Sequence, residues 1–296
     1  CFIASDAKAE AEMHERRLEL GRIAEGRGAS VDLDLGVKPS VERRAFEFQF
    51  KPKECAICVS ITFIDLPGGW YTGLGDFETA DRDLCDADVI LVAVQAWPLL
   101  EEKHGKKGAY NADINMPDLI CGTLERMSVK STNGTKPTIL FVLLKSESYL
   151  HNNRAEELLS AAMECYLPRL TALKSSGFPI AGCWIETVGG IELNHVKETN
   201  ESTTKAKIIG NFKRIHRIGY SPKHCSVPLR LVLKVALEKL KNSVPTNPTN
   251  IFDAFTTDWL KIPTETANNR RVAHKLWETI KSIEQKLENE PIKWFK

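Results

Sequence analysis

An aspartate and a glycine come directly after an apolar segment in the run Ile61-Thr-Phe-Ile-Asp65-Leu-Pro-Gly68. A carboxylate at the carboxyl end of a strand can hold the Mg²⁺ ion of a bound nucleotide. A glycine nearby can bring its backbone N–H close to a terminal phosphate, because it has no Cβ to block the approach. These residue types and their spacing predict phosphate and magnesium chemistry at the end of this strand.

The loop that usually cradles such phosphates, G-x-x-x-x-G-K-[ST], does not occur in these 296 residues. Two interpretations stay open. The chain begins at Cys1 rather than Met, so we expect that a first strand and its phosphate loop could precede it, with the helical pattern of residues 6–20 following that loop. Alternatively, the protein has lost the loop and keeps the rest of the fold as a scaffold.

Two kinds of apolar pattern indicate the strands that position these residues. Residues 45–50 alternate, with Phe46, Phe48 and Phe50 on one face, and a short polar connection joins them to a second strand at 55–64. This arrangement predicts an antiparallel hairpin. Later runs are continuously apolar, as in strands that are buried on both faces of a parallel sheet. They are residues 88–94, 138–144 and 180–185.

Segments with helical spacing separate these runs, at residues 112–128 and 154–173. The alternation implies right-handed βαβ units and a doubly wound, mostly parallel α/β sheet with one antiparallel hairpin strand. A further helix is predicted at 228–242, before a linker rich in Pro and Asn. We therefore expect one domain over residues 1–243 and a helical C-terminal extension over 251–296.

The order of these elements resembles that of Ras-like GTPases after their first strand, over residues 30–242. The chain looks most like the divergent GTPase-like domains of bacterial conflict and effector-associated systems, in the translation-factor-related class. The matching motifs are strand–Asp-x-Pro-Gly-x-Trp, Lys-x-Glu-Tyr, Thr-x-Gly-Gly and Tyr-x-Pro-x-x-Cys-x-x-Pro-Leu. In this chain they are Asp65, Pro67, Gly68 and Trp70; Lys145, Glu147 and Tyr149; Thr187, Gly189 and Gly190; and Tyr220, Pro222, Cys225, Pro228 and Leu229.

The resemblance implies a Mg²⁺ site and a phosphate contact. Asp65 and Ser40 would hold the metal, directly or through water, and Gly68 would contact the γ-phosphate. Ser40 is placed here because a Ser or Thr before the second strand of this fold orders its loop in the triphosphate state. An ordinary turn serine explains Ser40 equally well.

The resemblance also implies a site for the guanine base of GTP or GDP. Lys145 would lie along the base, and the carboxylate of Glu147 would accept hydrogen bonds from the guanine edge. The loop that contains Thr187 would supply backbone N–H groups. The family carries Asn-Lys-x-Asp at the first of these positions, whereas this chain has Leu144 for the Asn and a longer carboxylate.

We expect a cytoplasmic guanine-nucleotide-binding switch. The resemblance also implies a role in a bacterial defence system. Gly69 and Trp70 stand where many GTPases orient water with Gln, so we expect hydrolysis to be slow or stimulated by a partner. A protein partner would recognise the segments 28–42 and 68–84, or the C-terminal helix.

Two other functions stay open. A nucleotide-free pseudo-GTPase would act as an assembly subunit, with Trp70, Tyr71 and Trp97 as exposed interface aromatics. A signalling-type ATPase would use Asp65 as its metal-binding acid, although the Pro-Gly that follows argues against it.

Composition excludes several classes. The net charge of +1 leaves no basic excess for a nucleic-acid partner. No apolar run reaches the roughly 18 residues of a membrane span. The eight cysteines are scattered, as expected in a reducing cytosol, and Cys55 and Cys58 fit a core better than a zinc site.

Overall fold

The computed structural model describes twelve stretches of the chain. They are residues 2–4, 7–25, 30–32, 42–50, 59–72, 76–130, 136–199, 207–214, 220–243, 277–279, 281–288 and 290–294. Ser40, the pair Cys55 and Cys58, and the linker 244–250 lie outside the described residues.

The first part of the chain alternates short strands and helices. The elements are β1 (Phe2–Ala4), α1 (Ala7–Glu25), β2 (Ser30–Asp32), β3 (Arg44–Phe50), β4 (Val59–Asp65), a 3₁₀ helix (Gly68–Thr72), α2 (Phe77–Asp86), β5 (Val89–Gln95), α3 (Trp97–Leu100), β6 (Glu102–Lys103), β7 (Lys106–Lys107), α4 (Asn111–Ile114) and α5 (Pro117–Lys130). Helix α1 continues beyond the predicted end at residue 20 and through Gly21, because good helix formers flank this glycine on both sides.

The second part contains the remaining strands and helices. They are β8 (Thr138–Leu144), α6 (Glu147–His151), α7 (Ala155–Tyr166), α8 (Thr171–Ser175), β9 (Ile180–Trp184), β10 (Ile191–Thr199), β11 (Lys207–Arg214), α9 (Ser226–Ser243) and β12 (Ile292–Trp294). Residues 281–288 are also helical. The predicted helical extension therefore contains a strand, β12, near its end.

The central sheet has the order β12-β9-β8-β5. The three apolar runs form its parallel strands, with Val89 opposite Thr138 and Ile139 opposite Ile180, whereas β12 pairs with β9 antiparallel. Every residue of β8 except the last is buried, as expected for a strand with neighbours on both edges and cover on both faces. The structure thus confirms an α/β fold with a mixed, mostly parallel sheet.

The predicted hairpin forms, but in a sheet of its own. Strands β3 and β4 pair antiparallel from Arg44–Asp65 to Phe50–Val59, and β1 adds to the outer edge of β3. The sequence analysis had placed this hairpin in the parallel sheet. Among the described residues, no strand pairs with both the sheet of the hairpin and the central sheet.

A third sheet, in the order β10-β11-β2, was not predicted. Its strand β11 contains much of the basic run at 205–217. Ile209, Asn211 and Phe212 of β11 are buried, so this middle strand is covered on both faces at these residues.

The chain divides into two compact units. The first comprises residues 1–15, 42–66 and 229–290, and the second comprises residues 16–41, 67–228 and 291–296. The main core lies in the second unit, where the ring of Phe141 contacts that of Tyr166 at 4.7 Å between centroids. No described helix is long and apolar enough to cross a membrane.

Candidate functional site

The three parallel strands of the central sheet have their carboxyl ends at the same boundary of the sheet, the carboxyl edge. A polar residue lies at or just beyond the end of each strand. Gln95 is the last residue of β5, Lys145 comes directly after β8, and Glu186 follows β9 by two positions. Open α/β sheets bind their ligands outside the carboxyl ends of the strands. This edge is therefore the candidate site.

The structure brings Lys145 and Thr187 together. The backbone N–H of Lys145 donates to Thr187 Oγ1 at 3.0 Å. Lys145 has a φ of +57°, a conformation that residues other than glycine rarely adopt, so surrounding contacts hold it there. Its Nζ lies 3.4 Å from Gln95 Oε1 and 6.0 Å from the centre of the Phe212 ring. The ammonium group is thus directed toward the end of β5.

Glu147 joins the same cluster in a role that the sequence did not predict. Its side chain is fully buried, and Oε1 accepts hydrogen bonds from the N–H groups of Val188 at 2.8 Å and Gly189 at 3.2 Å. Oε2 has no hydrogen-bond partner among the described residues. The carboxylate expected to face a guanine edge instead supports the turn that follows β9.

Burial raises the pKa of Glu147, and the negative charge of Glu186 raises it further. The N–H groups of Val188 and Gly189 act in the opposite direction, because they stabilise the ionised form. Burial is the largest of these influences. The neutral form of the Glu147 carboxyl is therefore favoured more than in an exposed glutamate.

Backbone geometry explains the glycine at position 189. Gly189 has a φ of +77°, and a Cβ at this position would overlap the carbonyl oxygen of Ser221. The N–H of Ser221 donates to Val188 O at 2.9 Å. The turn is thus held against the segment before α9 on one side and against Glu147 on the other.

Glu186 is a second buried acid at this edge, and sequence reasoning missed it. The side chain is 3% exposed. Its Oε1 accepts a hydrogen bond from Lys223 Nζ at 3.2 Å, and Oε2 lies 3.8 Å from His151 Nε2. The only signal in the sequence was an acidic residue directly after an apolar strand.

Gln95 was also missed, although it occupies the centre of the hydrogen-bond network. Its backbone N–H donates to Asn115 Oδ1 at 2.8 Å, and its carbonyl accepts from Asn115 Nδ2 at 3.0 Å. Asn115 therefore bonds the backbone of β5 at Gln95, as a neighbouring strand would. Asn115 Nδ2 also donates to Asn111 Oδ1 at 2.7 Å, which ties the break between α4 and α5 to the same edge.

The prediction that Trp97 is an exposed interface aromatic is wrong. Its side chain is fully buried, and Nε1 donates to Gln95 Oε1 at 3.0 Å. A Cβ at Gly210 of β11 would lie 2.9 Å from that Nε1, so the glycine leaves room for the indole. Trp70 is half-buried.

Asp65 and Gly68, the residues expected to contact magnesium and phosphate, come earlier in the sequence than the hydrogen-bonded residues at the sheet edge. Asp65 is the exposed last residue of β4, in the first unit, and its register partner in β3 is Arg44. Gly68 begins the 3₁₀ helix, in the second unit, and is exposed.

The described residues contain no cluster of three or more His, Cys, Asp or Glu side chains that could hold a metal ion by itself. A nucleotide-bound Mg²⁺ needs less, since it takes one or two carboxylates and completes its shell with phosphate oxygens and water. The exposed carboxylate of Asp65 fits this kind of site.

No protein-family model, no curated protein and no solved structure matches this chain. Its function is therefore argued from the residues at the sheet edge and from the resemblance stated above.

Proposed function

We propose that the protein is a guanine-nucleotide-binding switch with slow or partner-stimulated GTP hydrolysis. One observation carries the proposal: Gln95, Lys145 and Thr187, from three different strand ends, form a hydrogen-bonded set at the carboxyl edge of the parallel sheet. This is the edge at which proteins with such sheets bind their ligands. The Ras-like arrangement of the elements is part of the same proposal.

The residues have separate roles in this proposal. Lys145 lies along the base, and Thr187 fixes the backbone of Lys145 in its left-handed conformation. Glu147 acts as a positioning residue, because its carboxylate holds the turn after β9. A bound Mg²⁺ would neutralise phosphate charge, with Asp65 and Ser40 as its protein ligands and Gly68 as a phosphate contact.

The switch would act through a protein partner. Binding of the triphosphate would change the conformation of segments such as 28–42 and 68–84 and so change the surface that a partner meets. A place in a bacterial defence or conflict system is proposed from the resemblance alone. Gly69 and Trp70 lack the side-chain carboxamide with which Gln orients the attacking water, so hydrolysis would depend on a group supplied by the partner.

The experiment is to purify the native full-length protein, denature it, and identify released nucleotides by mass spectrometry. Stoichiometric GDP or GTP is the expected result. Calorimetric titration of the nucleotide-free protein with GTP, GDP and ATP in Mg²⁺ then measures affinity. Absence of both co-purified nucleotide and measurable binding would overturn the proposal, and stronger binding of ATP would favour the ATPase alternative.

A second candidate is a nucleotide-free assembly subunit. The observation that favours it is the position of the Glu147 carboxylate, which is buried and bonded to Val188 and Gly189 and is therefore unavailable to a base. Stoichiometric nucleotide in the native protein would exclude this candidate.

A further inference from the structure

The orientation of the Gln95 carboxamide is determined by its neighbours. Trp97 Nε1 and Lys145 Nζ both approach Gln95 Oε1, at 3.0 and 3.4 Å. Both groups are hydrogen-bond donors and cannot accept, so the atom that faces them has to be the carbonyl oxygen. The Nε2 amide group of Gln95 therefore points away from Trp97 and Lys145.

The amide group of Gln95 is held in place and remains available to a ligand. Asn115 bonds both backbone groups of Gln95, and the fully buried Trp97 anchors the side-chain oxygen. Gln95 Nε2 makes no hydrogen bond with any residue that the structure describes, and the side chain is half-buried. A donor that is fixed before binding costs little conformational entropy when a ligand accepts from it.

The polar groups at this edge favour a ligand with acceptor atoms. Gln95 Nε2 and Lys145 Nζ are donors, whereas two of the acceptor oxygens nearby are engaged within the protein and Glu147 Oε2 is buried. Gln95 Oε1 accepts from Trp97, and Glu147 Oε1 accepts from the turn after β9. An oxopurine presents two adjacent acceptors, O6 and N7, along one edge, whereas adenine replaces O6 with an amino donor.

We propose that Gln95 is the specificity-determining residue of the base site, where its Nε2 and Lys145 Nζ donate to the O6/N7 edge of an oxopurine. This inference rests on the proposed nucleotide-binding function. Since Glu147 is withdrawn into the protein, the site does not read the 2-amino group of guanine. Guanine and hypoxanthine nucleotides are therefore equivalent ligands.

The test compares GTP, ITP and ATP by calorimetry on the nucleotide-free full-length protein. GTP and ITP are expected to bind with affinities equal within about twofold, and ATP about tenfold or more weakly. This comparison needs no variant, so it does not depend on whether a substitution is tolerated by the fold.

A variant then isolates the role of Gln95. Gln95→Glu keeps an acceptor for Trp97 and Lys145 but removes the Nε2 donor, so the preference for GTP over ATP should fall by about tenfold. Gln285→Glu, at an exposed position in the C-terminal helical segment, is the matched control and should keep the preference. Thermal denaturation followed by circular dichroism checks that both variants are folded.

The outcomes separate the two proposals. A wild-type protein that binds none of the three nucleotides overturns the proposed function and this inference with it. A protein that binds GTP about tenfold or more tightly than ITP reads the 2-amino group, and a folded Gln95→Glu variant with unchanged preference shows that Gln95 does not select the base. Either of the last two results overturns this inference alone.

Discussion

The loops after β8 and β9 are held by hydrogen bonds among buried and partly buried groups, whereas Asp65 and Gly68 are exposed. In the loops, one carboxylate supports two backbone N–H groups, and a threonine hydroxyl holds a lysine in a left-handed conformation. At Gly68, by contrast, open space surrounds the position that a Cβ would occupy. The first region is preorganised by its own buried contacts, whereas Asp65 and Gly68 are exposed to solvent.

A pair of glycine substitutions gives the strongest test of this difference between the two regions. Gly189→Ala should destabilise the protein by about 3 kcal/mol, because the residue has a positive φ and its Cβ would overlap Ser221 O. Gly68→Ala should change the free energy of unfolding by less than about 0.5 kcal/mol. Urea denaturation followed by circular dichroism measures both, and equal effects would show that the two regions are not held differently.

Removal of the Glu147 side chain should have the next largest effect. Glu147→Ala leaves the N–H groups of Val188 and Gly189 without their acceptor, which should cost about 2 kcal/mol. Glu147→Gln keeps a carbonyl oxygen in the same place and should retain most of the stability. If both variants unfold at the wild-type urea concentration, Glu147 does not support the turn.

The pH dependence of stability tests the burial of Glu147. Its folded-state pKa is raised above 4.5, so the folded protein holds a proton that the unfolded chain has lost between 4.5 and the folded pKa. Stability relative to Glu147→Gln is therefore greatest below pH 4.5 and falls as pH rises through the folded pKa, by at most about 1.4 kcal/mol per pH unit.

Urea denaturation of both proteins from pH 4.5 to 8 measures this difference. The surrounding residues are the same in both proteins, so the comparison isolates the Glu147 carboxyl. A difference between the two proteins that is constant with pH would contradict the raised pKa.

Asp65→Ala should have the smallest effect on stability, because the side chain is exposed at the end of β4. The same variant should lose Mg²⁺-dependent GTP binding in calorimetry, whereas Asp86→Ala, at the exposed end of α2, should keep it. Unchanged GTP affinity in Asp65→Ala would remove this residue from the proposed metal site.

Apolar patterning was sufficient to locate the three parallel strands of the central sheet. A run such as Thr138–Leu144 has no polar alternation, so it is stable only where both faces and both edges are covered, as β8 is. Helix boundaries were harder to predict from the sequence. The predicted helix at 112–128 is interrupted at Asn115 and Met116, because Asn115 bonds the backbone of Gln95, twenty positions earlier in the chain.

The pattern at the C-terminus was also insufficient. Strand β12 has only three residues, and it is a strand because β9 offers it an open edge. A segment this short carries too little periodicity to distinguish a strand from an irregular end.

The sequence by itself determined which segments are buried parallel strands and which residues follow their carboxyl ends, and the family resemblance placed Lys145 and Thr187 in one site. Tertiary structure alone decided how the side chains are used. Glu147 bonds a turn some forty positions later, and Trp97 and Lys145 orient the carboxamide of Gln95. Local patterns report how much of a residue is buried, whereas the choice of hydrogen-bond partner depends on groups that only the folded chain brings within reach.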